Sequence, residues 1–483
     1  MLTRTVNGDS RLSLWLRVRE FAVPPSMIET ATARRHAGDW AGACAAAGVD
    51  VDFNLRFVAR TRGRELATRI RADLRHLAPD LLRWHMPRIA PDGLLRPGLT
   101  LALARYEPAG PGGGPPVHLV ARTPPAWADA GQRIGLALWD GSRSEPGALR
   151  HPHPHPHPRY RLDLHRHLWD ARRSGDLRFR SGADRPARGD RPFLEPDVDP
   201  CPDPDLVQAL PPGVRCAIDR WAAEVAIVLG AQGRSTGTVA VRLGAGHRLD
   251  LDLIADANGD GAGDGAGARS PALRIAPAAT DAGVSPPLVL PDAATWTLPD
   301  LELLRTGAIE ADRLHPLVAR ALVPDWSPAG PAGGGGRPAE PRLVECRGAR
   351  HRIGMVDGAL APLDHDPAEI RREELLVALS GTPLPCLRAI DEAHRRPDSL
   401  SGVRERLDHG DTAGALAVVE GLLGPGALLR AGPLRDELQA AALRRITYGL
   451  FRAGLVGPGP GRVEAGPRRP KGHRSHPRHT TGR

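Results

Sequence analysis

One six-residue pattern occurs near both ends of the chain. Gly38-Asp39-Trp40-Ala41-Gly42-Ala43 returns as Gly410-Asp411-Thr412-Ala413-Gly414-Ala415. Each copy joins two short stretches of helical periodicity. A glycine there supplies the left-handed residue that ends a helix without a Cβ clash. The aspartate then caps the next helix through its carboxylate. Before the first copy, Ser26 and Glu29 have the spacing of a capping box, so a helix is expected from Ser26 to about His36 or Ala37. After it, Trp40, Ala43, Cys44 and Ala47 share one helix face. In the second copy Thr412, Ala415, Leu416 and Val419 take the same offsets, and Leu422 and Leu423 extend the face. Helical hairpins are therefore expected at both ends.

The turn resembles the helix–turn–helix joints of tetratricopeptide-like repeats, over about one repeat at each end. The full repeat signature is missing and no array follows, so single hairpins are expected rather than a solenoid. What the resemblance implies is a concave face for a partner's helix or peptide; a packed helical domain reusing a common turn is the plainer alternative. Residues 34–47 and 369–424 also resemble a family of proteins from high-GC bacteria, which brings no activity with it.

Between the ends the pattern changes. Residues 11–21 alternate and read as a strand. Asn54 can cap a helix with a stripe of Leu55, Val58, Ala59, Leu66, Ile70, Leu74 and Leu77, weakened midway by Gly63. Strands are expected at 99–106, 117–123 and 133–139, then a hairpin at 238–243 and 248–254, and a further strand at 272–276. Residues 215–229 read as a helix, with a strand at 224–230 as the alternative. A short helix is expected at 164–173. The glycine- and proline-rich run 327–342 reads as a linker. A last hairpin is expected at 343–346 and 351–356. Helices follow at 367–379, started by Asp366 as N-cap, and at 387–394, 400–409, 411–423 and 433–453. The final one carries Leu434, Leu438, Ala442, Ile446, Leu450 and Phe451.

The expected fold is α+β: a helical region 1–95, a mainly antiparallel β-rich middle 96–326, the linker, a hairpin plus helical domain 343–455, and a disordered basic tail 456–483. Lys471 is the sole lysine among 65 basic side chains, and the sequence pI is about 10.2. The positive charge is local. Residues 456–483 and 150–191 each carry an excess of six, while the whole chain carries nine, so the remainder is slightly acidic. Five scattered cysteines form no C-x-x-C pair, and no apolar run could span a bilayer. A cytoplasmic protein without membrane contact is the expectation.

Few patterns point to chemistry. His151, His153, His155 and His157 alternate with proline and could chelate zinc or nickel through neutral imidazoles; the other reading is an extended polyproline stretch. Asp256, Asn258, Asp260 and Asp264 follow the oxygen spacing of a calcium loop, but Gly267 stands where the bidentate glutamate belongs. Gly233-Arg234-Ser235-Thr236-Gly237 matches G-x-S-x-G, yet a strand is expected after it, where a nucleophile elbow needs a helix. Asp364-His365-Asp366 reads as a surface cluster at a helix start. Arg468, Arg469, Lys471, Arg474 and Arg478 could contact nucleic-acid phosphates; with no aromatic to stack bases, such binding would be nonspecific. With Lys471 in the tail, neither a phosphate-binding P-loop lysine nor a Schiff-base lysine fits. No H-E-x-x-H occurs, and no dinucleotide fingerprint sits between strand and helix. The sequence calls for no cofactor. It favours a non-catalytic adaptor or structural component with a protein partner. An enzyme assembled from distant loops and a nucleic-acid-associated protein are the alternatives.

Overall fold

The computed structural model describes residues 8–108, 115–128, 132–141, 151–184, 204–211, 215–244, 247–254, 272–276, 288–327, 342–346, 349–356, 359–362, 364–366, 368–372, 385, 400–423, 429 and 431–455. The fold is α+β. The chain forms two compact units, the first drawn mainly from residues 1–329 and the second mainly from residues 330–469.

The first unit starts with a helix where a strand was expected. Helix α1 spans Gly8–Arg17 and runs into one π-helical turn, Val18–Ala22. Leu14, Trp15, Val18 and Ala22 are all buried, and their spacing follows one helix face. The alternation that suggested a strand came from the arginines between them. Helix α2 (Pro25–His36) corrects the capping box. Pro24 takes the N-cap position and Pro25 the first turn, so Ser26 lies inside the helix and caps nothing. Gly38 has φ +77° and Asp39 caps α3 (Trp40–Ala46) as expected. Asn54 caps α4 (Leu55–Thr61), accepting from the Arg56 and Phe57 amides at 2.8 and 3.2 Å. Gly63 does more than weaken this helix. Its φ of +98° ends it, and α5 (Arg64–His76) begins anew.

These helices share a core with a four-stranded sheet. Its strands are β1 (Val49–Val51), β2 (Thr100–Tyr106), β3 (Val117–Arg122) and β4 (Ile134–Trp139), in the order β1-β4-β3-β2. β2, β3 and β4 pair antiparallel, with Ala121 opposite Leu101 on one side and Leu136 on the other; β1 runs parallel to β4. The helical region continues to the start of the sheet. A short helix, α6 (Pro79–His85), is buried along its whole length.

Past the histidine run, the expected helix at 164–173 is two 3-10 turns instead, Arg166–Leu168 and Ala171–Asp176. Asp170 caps the second, so the chain turns before an α-helix can propagate. Helix α7 (Ile218–Gly230) settles the helix-or-strand ambiguity. Trp221, Val225, Val228 and Leu229 bury against β5 (Gly237–Arg242) and β6 (Arg248–Ile254), each side chain worth about 2 kcal/mol of apolar burial. With β7 (Ala272–Ile275) and β8 (Leu288–Val289) they form a second sheet, order β8-β5-β6-β7. Then α8 (Pro299–Arg305) and α9 (Pro316–Leu322) return Leu301, Leu303 and Val318 to the first core.

The second unit holds a three-stranded antiparallel sheet, β9 (Arg342–Cys346), β10 (Ala349–Val356) and β11 (Ala359–Pro362), where two strands were expected. Asp366 accepts from the Ala368 amide at 2.9 Å, as an N-cap should. Helices α10 (Leu400–Asp408), α11 (Thr412–Leu423) and α12 (Pro433–Ala453) bury Val403, Leu407, Ala415, Val419 and Leu434 together. The expected helix at 387–394 lies outside the described residues. Among those described, no helix is long and apolar enough to cross a membrane.

Candidate functional site

The two copies of the turn are built the same way. Asp39 Oδ1 accepts from the Gly42 amide at 2.8 Å, and Asp411 Oδ1 from the Gly414 amide at 2.9 Å. The other carboxylate oxygen of each pairs with an arginine five residues earlier: Arg34 Nη1 lies 2.9 Å from Asp39 and Arg406 Nη1 2.9 Å from Asp411. Each aspartate amide also donates to that arginine's carbonyl, at 2.9 and 2.8 Å. The motif is therefore longer than glycine and aspartate alone, and the arginine escaped the sequence reading because it sits inside the preceding helix. The second glycine leaves room for the capping carboxylate in both copies. A Cβ on Gly42 or Gly414 would lie 2.0 or 2.1 Å from the aspartate Oδ2.

The four histidines of the proline run do not converge. His151 is buried, with Nε2 2.9 Å from the Thr123 carbonyl and Nδ1 accepting from the His153 amide at 3.2 Å. Burial, with neighbouring cations, lowers its pKa to about 4 despite those carbonyls. His155 packs its ring against Trp139, and His157 against Tyr160. Thr100 fastens the strap: its hydroxyl donates to the His153 carbonyl at 2.6 Å, and its own carbonyl accepts from the His157 amide at 2.8 Å. The run is an extended strap along β2, the edge of its sheet, where it covers backbone groups that would otherwise template a further strand. Among the described residues, no three His, Cys, Asp or Glu side chains are grouped as a metal ion would need.

Ser235 is exposed in the turn from α7 to β5, with the helix before it and the strand after, the reverse of a nucleophile elbow. In the second unit Asp364 pairs with Arg352 at 2.8 Å, His365 stacks on His351 at 4.0 Å, and Asp366 caps. Asp256, Asn258, Asp260 and Asp264 lie outside the described residues, as do Arg468, Arg469, Lys471, Arg474 and Arg478.

Several charged groups missed by the sequence reading are buried in the first unit. Arg19 donates to Asp300 Oδ1 at 2.9 Å and lies 3.9 Å over the Trp84 ring, while Trp84 Nε1 donates to Asp300 Oδ2 at 2.7 Å. His315 accepts from the Leu317 amide through Nδ1, and its Nε2 lies 2.9 Å from Asp80 Oδ2; both side chains are 1% exposed. Glu224 receives Arg180 and His165, at 2.7 and 3.0 Å. Such pairs could orient a proton, but at this burial they meet no solvent-borne substrate. A cavity lined by Arg11, Trp15, His85 and Trp296 holds about 30 Å³, room for a water or two.

Two features do face solvent. One is an arginine-lined cleft beside α5. The other is α12, whose stripe was expected to be core. Leu434 and Tyr448 are buried, but Leu443, Ile446 and Leu450 are 63%, 59% and 41% exposed. They sit at i, i+3 and i+7, so they share a face. No family model, curated protein or solved structure matches the chain. Its chemistry is therefore read from these residues.

Proposed function

We propose that the protein is a non-catalytic adaptor or structural component of a larger cytoplasmic assembly, docking a partner on α12. The observation that carries this reading is the exposed row Leu443, Ile446 and Leu450 on a helix already anchored by its opposite side. A row of this spacing suits helix-to-helix docking. Small residues beside it, Ala442, Gly449 and Ala453, allow close backbone approach. Charge specifies the occupant. From Leu438 to its end at Ala453 the helix carries Arg444, which pairs with Asp408, and Arg445 and Arg452, and no acid. The partner that complements it is an acidic amphipathic helix of another protein.

A photo-crosslinking side chain placed at Leu443 of the full chain, activated in the native cell, tests this. The expected product joins Leu443 to an apolar-striped, acidic helix of a second protein, and its yield falls in an Ile446→Glu background. Crosslinks confined to this chain or to a second copy of it, or no crosslink at all, would overturn the reading.

A further inference from the structure

We infer that the arginine-lined cleft of the first unit is a binding site for a small, multiply phosphorylated molecule. The cleft holds about 540 Å³, within the size range of small-molecule sites. Three elements build it. Helix α5 supplies Arg69 and Asp73, the end of β2 supplies Arg105 and Tyr106, and the 3-10 turns supply Arg166, Asp170, Arg172 and Arg173.

Its floor is rigid. Asp73 and Asp170 are 9% and 1% exposed, and two arginines bridge them. Arg172 Nη2 lies 2.6 Å from Asp73 Oδ1 and 2.8 Å from Asp170 Oδ2, and its Nε lies 3.0 Å from Asp170 Oδ1. Arg166 Nη2 reaches the same two carboxylates at 2.5 and 2.7 Å. Tyr106 donates its hydroxyl to Asp73 Oδ2 at 2.8 Å. Both guanidinium groups are thus held through Nε and Nη2. Their Nη1 groups make no protein hydrogen bond among the described residues, and the side chains remain 29% and 39% exposed.

This floor is electrically balanced, two arginines against two aspartates. The walls are not. Arg69, lying over the Tyr106 ring, donates to the Glu107 carbonyl, which leaves its charge unmatched. Arg105 and Arg173 touch Glu107 and Asp176, but those carboxylates are 61% and 46% exposed at the rim, where water screens them. Five arginines and two aspartates line the cleft, an excess of three positive charges. A planar carboxylate occupies one guanidinium fork. A tetrahedral phosphate accepts from several directions, and two or three linked phosphates match both the spread of donors and the excess charge. Arginines pre-positioned by buried carboxylates lose little freedom on binding.

Inorganic tripolyphosphate is the probe, titrated calorimetrically into the full chain at low salt. Saturable one-to-one binding is expected, weakened about tenfold for each wall arginine removed in Arg69→Gln and Arg105→Gln. Neither residue touches the floor carboxylates, so folding should survive, and Arg173→Gln gives an independent third wall. Leu443→Glu on α12 should bind the probe as the parent does, which separates this site from the docking reading. The inference is overturned if the parent shows no saturable binding at millimolar probe, if all three variants bind as the parent does, as binding through the 456–483 tail would produce, or if a single-stranded RNA dodecamer binds these arginines and tripolyphosphate does not.

Discussion

Replacing Gly414 by alanine tests the turn motif, because the sign of its effect should depend on a neighbour. Alanine inside a helix is ordinarily more stable than glycine by about 1 kcal/mol. Here the new Cβ would lie 2.1 Å from Asp411 Oδ2, 2.7 Å from Cγ and 2.9 Å from Oδ1. Relief requires the carboxylate to swing out. That severs the cap to the Gly414 amide, worth about 1 kcal/mol. It also severs the pair with Arg406, partly shielded at 23% and 9% exposure and worth up to about 1 kcal/mol. The losses sum to roughly 2 kcal/mol against the propensity gain, so Gly414→Ala should destabilise α11 by roughly 1 kcal/mol. In an Asp411→Ala background nothing remains to clash with or to lose, and the same substitution should stabilise by about 1 kcal/mol. The double-mutant cycle should therefore give a coupling of about 2 kcal/mol. Hydrogen exchange of the α11 amides reads this locally, which suits a chain of two compact units better than a global melt. If Gly414→Ala stabilises α11 equally in both backgrounds, the steric account of the motif is wrong. The same change of sign is expected at Gly42 with Asp39.

Two further predictions concern the buried charges. Asp300→Asn removes the carboxylate that Arg19 hydrogen-bonds in a site that is 0–2% exposed, and should cost about 3–5 kcal/mol, whereas the double change Arg19→Met with Asp300→Leu should cost far less; chemical denaturation followed by tryptophan fluorescence compares them. Burial pushes Asp300 up and Arg19 down; Arg19, Trp84 and His315 work against it at Asp300, and Asp300 and Asp80 at Arg19. For Glu224, burial raises the pKa, but His165 and Arg180 outweigh it and hold the carboxyl at about 2, below its ordinary 4.5. The folded state thus binds this proton more weakly than the unfolded state. Its contribution, roughly 3 kcal/mol, is complete above about pH 4.5 and disappears as pH falls through about 2. A Glu224→Gln variant should be less stable at neutral pH and show a flatter acid limb in melting temperature; an unchanged limb would rule out Glu224 as its source.

The parts of the fold that could be read in advance were those specified by neighbours in sequence. Gly38 and Gly410 adopt positive φ, Asn54 and Asp366 cap, and 238–254 forms its hairpin, because each depends on side chains within a few residues. The misreadings share a different cause. Arg19 alternates with apolar residues and so imitated a strand, but its partner Asp300 lies 281 residues away. At α7 the helix forms as expected, but the burial of Glu224 on its apolar face was not legible either. Its partners Arg180 and His165 come from 44 and 59 residues upstream. Charge pairing across such spans decides whether a polar residue can be buried, and periodicity carries no trace of it.

The solvent-facing sites show the same limit from the other side. Counting charges placed an excess at 150–191, which contains Arg166, Arg172 and Arg173, but the remaining walls of the cleft come from α5 and β2, where nothing in the local sequence marks Arg69 or Arg105. The histidine run stood out by composition, yet its work is to shield the edge of β2, a role set by Thr100 some 50 residues earlier. On α12 the expected stripe divides: its Leu434 end is buried, while Ile446 and Leu450 are exposed beside Leu443. What the spacing could not tell is whether this chain covers that face. Leu434 is covered by α10 and α11, while Leu443, Ile446 and Leu450 remain in water. An isolated exposed leucine needs no explanation. Three apolar side chains on one row are the observation on which the proposed docking of a partner rests.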